Sequence, residues 1–376
     1  MMQKKPRVVV QGYGCHGRRM ARVLRHNLTA IVEADSSRRE EASREYPHVR
    51  ICSSLASIVP GDCDVLVEES SIKGRREAYE WALRNQLPVV LEKPLALAPE
   101  HLGEFCSGRY TVNFHERSHP VVTTAAEILQ RPPQRLLGLT FIRANAVADE
   151  KCRHPGRRDA VVGGCMVDKG IHDMANLGVF LGNAEGLSPS AIHVDRSVQG
   201  WIGDERQACD LYTDVRFCLS QRGMTLPVRL IASWIGLPEE ILEFIATNAP
   251  ASSCLACPES PVYPPIPSGF HSVRSKLFVA DFVSTIGTER LIGSTLERED
   301  IGPYLAHGIG DAVERLPIDL KRSADSLLDP IAAAQHSTPE HIQAILAVHR
   351  ATLALRDAVA RIPPHLLVPL PDDFVV

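Results

Sequence analysis

Over the first 115 residues, short apolar runs alternate with apolar residues set at helical spacing. Arg7–Gln11 is a β-branched run leading into Gly12, and Met20, Val23 and Leu24 follow at a helical interval. Leu28–Val32 reads as a second strand and Arg38–Tyr46 as a polar helix. Val65–Val67 and Val89–Leu91 are continuous apolar runs, the pattern of strands covered on both faces, with helical character over Arg75–Asn85 between them. Pro99–Cys106 and Tyr110–Phe114 add a helix and a strand. Strand–helix alternation of this kind predicts a doubly wound parallel sheet.

The pattern changes at His119-Pro120, which places a boundary between 1–118 and 119–376. A helix over Val121–Leu129 stops at Arg131-Pro132-Pro133, a strand follows at Leu137–Arg143, and a glycine-flanked helix lies near Gly170–Leu181. Ala191–Val198, Asp210–Leu219, Pro227–Ser233 and Glu240–Ala246 then read as consecutive strands. Strands without intervening helices predict a large, mostly antiparallel sheet, hence an α+β second domain. Pro250–Pro267 holds six prolines and reads as a surface loop. Thr338-Pro339-Glu340 opens a helix to about Arg361, with Thr as N-cap and Pro at the first helical position.

Composition adds limits. At 376 residues the chain suits about two domains. Its net charge of −4 argues against nucleic acid as a partner. No run of 18 apolar residues suggests a membrane span, and only four apolar residues precede Gly12, too few for a signal-peptide core. A cytoplasmic protein is expected. Aromatics at 5% leave the cores mostly aliphatic. Ten scattered cysteines then read mainly as reduced, buried apolar residues, and the close pair Cys254/Cys257 lacks the further ligands of a zinc site, so no metal is expected.

Gly12-Tyr13-Gly14-Cys15-His16-Gly17 is a GxGxxG motif placed after a strand and before a helix. Its first glycine permits a tight turn, its second lets a pyrophosphate approach, and its third lets helix pack on strand. Glu33 closes the second strand about 20 residues on, where an acid accepts ribose hydroxyls. A carboxylate there favours NAD, while Ser36, Ser37 and Arg38 leave NADP open. Glu92-Lys93-Pro94 directly follows the run Val89–Leu91, at the carboxyl end of a strand, where open parallel sheets bind ligands. Gly163-Gly164-Cys165-Met166-Val167-Asp168-Lys169-Gly170-Ile171-His172 sets Asp168 and His172 four apart, on one helical face. Asp173 is expected to point elsewhere, to solvent or a cap.

With these motifs the chain resembles the glucose–fructose oxidoreductase / inositol dehydrogenase family, Gfo/Idh/MocA. Softer matches are Val112–Arg117 before Pro120, Arg158-Asp159, and Ala232-Ser233-Trp234. The resemblance implies an N-terminal Rossmann domain and an α+β C-terminal domain whose open sheet makes a homodimer or homotetramer. It also implies transfer of a hydride between NAD or NADP and a hydroxyl-bearing carbon of a sugar, amino-sugar or cyclitol, a small polar substrate. Lys93, Asp168 and His172 match the family's catalytic residues. The residues Gly12, Tyr13, Gly14, Cys15, His16, Gly17, Glu33, Glu92, Lys93 and Pro94 are the cofactor-binding candidates, and Asn113, Arg117 and Arg158 the substrate-facing ones.

The chemistry is consistent with those roles. Removing a hydroxyl proton needs a base, and a histidine near pKa 6.5 serves at neutral pH. A positive Lys93 would orient the oxygen and stabilise alkoxide charge, with Asp168 favouring the ammonium form. The reverse assignment of His172 and Lys93 stays open. Two departures from the family stand out. The usual Thr-Pro and nearby histidine after the strand at Val65–Val67 are replaced by Glu68-Glu69-Ser70-Ser71, and the second acid three residues beyond the histidine is Ala175. Other readings are a non-catalytic dinucleotide sensor, an imine reductase, or an enzyme of redox-assisted glycoside cleavage.

Overall fold

A computed structural model of the chain describes residues 5–145, 164–182, 184, 186–202, 207–221, 223–250, 253–256, 267–296, 302–309, 312–318 and 329–369. It divides into two compact units, Met1–His115 with Lys321–His349, and Glu116–Leu320 with Arg350–Val376.

In the first unit, β1 (Val8–Gln11), β2 (Leu28–Val32), β3 (Arg50–Cys52), β4 (Val65–Glu68), β5 (Val89–Leu91) and β6 (Tyr110–Val112) pair in parallel in the order β3-β2-β1-β4-β5-β6. The order reverses between β1 and β4, which makes the carboxyl ends of these strands the binding crevice of such a sheet. Val8, Val9 and Val10 are at most 1% exposed, as the continuous apolar run requires of a strand covered on both faces. α1 (Cys15–Val23), α2 (Ser36–Glu45) and α3 (Ile72–Arg84) follow the first, second and fourth strands. Asp35 caps α2 by accepting from Arg38 N–H (2.9 Å) and Ser71 caps α3 by accepting from Gly74 N–H (3.4 Å). Ile331 and Ala334, from the helix Asp329–Gln335, join the core of Val8, Val10, Ile31, Val65, Val67 and Val90. Two details differ from the pattern reading. Pro99–Phe105 is a 3₁₀ helix, and β3 escapes notice because only Cys52 of its three residues is buried.

The second unit is built on β7 (Arg135–Asn145), β8 (Ser190–Ile202), β9 (Gln207–Gln221), β10 (Met224–Ser233), β11 (Leu237–Pro238), β12 (Cys254–Ala256), β13 (Phe270–His271), β14 (Val273–Ser284), β15 (Gly287–Ser294), β16 (Tyr304–Ile309), β17 (Ala312–Leu316) and β18 (Leu366–Pro369). The main sheet runs β17-β16-β15-β14-β7-β10-β9-β8-β18, with β12 beside β14 and a separate β11-β13 pair. Within it only β7/β10 and β8/β18 are parallel, so the sheet is mostly antiparallel, as expected. Glu240–Ala246 is not a strand. It lies in a helix, Glu239–Asn248, because Ile241 and Ile245 recur four apart on a buried face and two glutamates occupy the positive N-terminal turn. Cys254–Ala256, inside the expected Pro250–Pro267 loop, pairs with β14. Residues 251–252 and 257–266, Cys257 included, lie outside the described residues.

Helix α4 (Pro120–Leu129) starts where Pro120 changes the pattern, with His119 Nδ1 accepting from Val121 N–H (3.2 Å). The helix Pro339–Ala360 has the expected N-cap, since Thr338 Oγ1 accepts from His341 N–H (3.2 Å). Among the described cysteines, Cys52, Cys63 and Cys165 are buried free thiols, whereas Cys15 and Cys106 are exposed. No helix among the described residues is long and apolar enough to cross a membrane.

Candidate functional site

The glycine loop is fixed by backbone packing at two of its glycines and open at the third. Gly12 has φ +92°, and a Cβ there would sit 2.7 Å from the Glu69 carbonyl oxygen. A Cβ on Gly17 would lie 1.9 Å from the Gly12 oxygen. At Gly14 the nearest atom is Arg38 Nη1, 3.9 Å away, so the loop leaves room over the N-terminus of α1. That is where a diphosphate rests on backbone N–H groups and a helix dipole, and the residues present fit a dinucleotide. Glu33 is buried, and its carboxylate accepts from the backbone N–H of Tyr13 (2.6 Å) and of Asp35 (2.9 Å). It therefore ties the loop to the end of β2. Cys15 and His16 are exposed on the first turn of α1.

Glu92, Lys93 and Pro94 leave the carboxyl end of β5. Glu92 is held at both oxygens, by Asn113 Nδ2 (2.9 Å) and by the Lys93 N–H (3.2 Å). Asn113 is thus brought to the cofactor-binding candidates as a partner of Glu92. Lys93 is half-buried and Pro94 buried. The residue that organises this corner is one the sequence reading passed over. Arg75 of α3 donates to Glu68 Oε2 (3.0 Å), to the Pro94 carbonyl and to the Ser70 carbonyl (3.4 Å). Its signal was available, because Arg75 shares a helical face with buried Ala78, Tyr79 and Ala82. Burial raises the Glu68 carboxyl above its ordinary value despite Arg75, and does the same to Glu92 despite Lys93.

In the second unit a π-helical turn, Met166–Gly170, carries Asp168 and runs into α5 (Ile171–Leu181). Such turns inside helices are frequent at functional sites. Asp168 Oδ2 accepts from Trp234 Nε1 (3.0 Å), the residue just after β10, and pairs with Lys169 Nζ (3.1 Å). His172 follows in the first turn of α5 at 6% exposure. Gly164 has φ +63°, and a Cβ there would collide with Asp210 at 2.6 Å. Burial pushes the Asp210 carboxyl up to about 6.

Asp173 is neither a cap nor solvent-facing. It is buried and takes Arg143 on both oxygens (2.6 and 3.0 Å), and Arg143 also grips Glu116 (2.5 and 2.8 Å). Lys276 adds a second cation to Glu116 at 2.8 Å. Burial opposes the charge on Arg143, but the two carboxylates overcome it and raise its proton affinity. The loop entering α4 is anchored by this cluster. Arg117 is the neighbour of Glu116, and burial lowers its proton affinity. Arg158 lies outside the described residues.

Residues 6–107 match the oxidoreductase family with an NAD-binding Rossmann fold, Gfo/Idh/MocA. The match covers the bulk of the first unit. No curated protein sequence matches the chain. Among solved structures, it resembles KijD10, a 3-ketoreductase from Actinomadura kijaniata in complex with NADP and TDP-benzene. That likeness has 15% identity, covers 98% of this chain and 100% of the other, and has a TM-score of 0.63. It also resembles the UDP-N-acetylglucosamine 3-dehydrogenase GnnA from Acidithiobacillus ferrooxidans, at 16% identity, 95% and 98% coverage and a TM-score of 0.64. Both likenesses extend over the two units and show a common fold.

Proposed function

We propose that the chain is an NAD(P)-dependent oxidoreductase that moves a hydride between nicotinamide and a hydroxyl-bearing carbon of a sugar or cyclitol, with nucleotide-linked sugars the leading class. The observation that carries the reading is the glycine loop, open at Gly14 and flanked by the Glu92-Lys93-Pro94 corner that Arg75 holds in place. The described ketoreductase and dehydrogenase neighbours support the substrate class. A bound nicotinamide supplies or accepts the hydride. The His172 imidazole takes the hydroxyl proton in oxidation and returns it in reduction. The Lys93 ammonium orients the reacting oxygen and stabilises charge developing on it. Asp168, fixed by Trp234 and Lys169, contributes the negative charge of the set.

Purified protein with NADPH or NAD⁺ is assayed by nicotinamide absorbance against TDP- and UDP-hexoses, their 3-keto forms, aldoses and inositols. Turnover with at least one is expected, and Lys93→Met and His172→Gln are each expected to lower kcat at least a hundredfold while cofactor Kd stays within threefold. Near-wild-type rates in either variant would sink the assignment. Tight cofactor binding with no turnover would point instead to a dinucleotide sensor.

A further inference from the structure

Sequence spacing gave no sign of a metal centre, but three side chains of the first unit converge beside the glycine loop. They are His16 on the first turn of α1, Glu69 immediately after β4, and Glu92 immediately after β5. A ligand atom from each lies within 4.8 Å of the other two. Glu69 is only 9% exposed, yet neither of its carboxylate oxygens accepts from an N–H or hydroxyl donor among the described residues. A buried carboxylate left in that condition calls for a cation or a proton. The Glu69 backbone lies close against Gly12, where an added Cβ would sit 2.7 Å from the Glu69 carbonyl oxygen.

Glu92 is prepared differently. Each of its oxygens accepts one hydrogen bond, from Asn113 Nδ2 at 2.9 Å and from the Lys93 N–H at 3.2 Å, which leaves a lone pair on each oxygen. Outer partners of this kind fix the direction of metal-binding carboxylates. Glu68, the third carboxylate nearby, is already engaged by Arg75 at 3.0 Å and by the Glu92 N–H at 3.3 Å, and is not one of the trio.

We propose that His16, Glu69 and Glu92 bind one divalent cation at the edge of the glycine loop. One imidazole nitrogen and two carboxylate oxygens suit Zn²⁺ or Mn²⁺ rather than Ca²⁺, which takes six to eight oxygens. Bonds of about 2.1 Å place tetrahedral ligands roughly 3.4 Å apart, so side-chain closure from within 4.8 Å completes the set. A dication cancels the two negative charges that would otherwise face an incoming diphosphate. It also leaves open coordination positions for water or a phosphate oxygen. The competing account of the same geometry is a single proton shared by Glu69 and Glu92, since burial and the charges of Glu92 and Glu68 hold the Glu69 carboxyl well above its usual range.

The full chain, freed of metal with EDTA and without dinucleotide, is titrated with Mn²⁺ while free ion is followed by electron paramagnetic resonance. One Mn²⁺ per chain is expected, displaced by Zn²⁺, with affinity at least tenfold weaker in Glu69→Gln and in His16→Ala. His16 is exposed, so its replacement removes a ligand without touching the core. Absence of saturable binding of either ion overturns the site, as does unchanged affinity in either variant, and the shared proton then explains the carboxylate pair. Turnover is not the readout. A protein that oxidises sugars yet takes up no cation refutes this site and leaves the redox reading standing, and a cation-binding protein without turnover does the reverse.

Discussion

Replacing Arg75 by methionine removes the counter-ion of Glu68 while keeping most of the buried aliphatic volume. The two side chains are 4% and 0% exposed, so water cannot take over the guanidinium's part. Glu68 is left to take up a proton. At pH 7 that costs a glutamate of pKa about 4.3 roughly 3.7 kcal/mol, and at pH 5 only about 1 kcal/mol. Loss of the hydrogen bonds to the Pro94 and Ser70 carbonyls adds about 1 kcal/mol at either pH. The expected destabilisation is therefore about 5 kcal/mol at pH 7, within the range for breaking a buried pair, and about 2 kcal/mol at pH 5. Urea unfolding followed by circular dichroism at both pH values measures it, with Glu68→Gln/Arg75→Met as the paired control expected to lose the pH dependence. A cost below 1 kcal/mol at pH 7, or one of equal size at both pH values, would refute the reasoning.

Two further outcomes are expected. His349 is buried in the helix Pro339–Ala360, donates from Nδ1 to the Ile345 carbonyl at 2.8 Å, and is pushed down to about 4 by burial. The unfolded chain then binds a proton that the folded chain refuses between about pH 6.5 and pH 4. Stability is complete above that window and falls by up to about 3 kcal/mol through it as pH drops. His349→Met is expected to flatten this acid limb in denaturation curves, and parallel curves for the two proteins would contradict the assignment. Arg38 overhangs Gly14 with its guanidinium, and Arg38→Ala is expected to weaken NADP at least tenfold in fluorescence titration while NAD changes less than threefold. Equal losses for both cofactors would remove Arg38 as a reader of the 2′-phosphate.

Much of the first unit was legible because its strands are uninterrupted apolar runs punctuated by glycine and proline. Leu28–Val32 and Val89–Leu91 match their sequence limits. The helix at Glu239–Asn248 was misread because Ile241, Leu242, Phe244 and Ile245 form a short apolar cluster, and length alone does not separate a strand from a helix there. Motif spacing singled out the glycine loop, Lys93, Asp168 and His172 as candidates, since each belongs to a local sequence pattern. Arg75, Arg143 and Glu69 could not be found that way. The helical face marks Arg75 as buried, but its partner, Glu68 seven residues away, and Asp173, the partner of Arg143 thirty residues away, are encoded by no local pattern. Asp173 was misjudged for the same reason.

The two hydrogen bonds that Glu33 accepts bear on how cofactor choice could be re-engineered. An acid at the end of the second strand is the group that bonds the ribose 2′-hydroxyl of NAD and opposes the 2′-phosphate of NADP. Here its oxygens hold the Tyr13 and Asp35 amides at 2.6 and 2.9 Å, so the same side chain sets the shape of the phosphate loop. Neutralising it would loosen the seat for either dinucleotide before it changed the preference between them. A redesign that starts from Ser36, Ser37 and Arg38, leaving Glu33 in place, is the route that keeps selectivity and loop architecture separable.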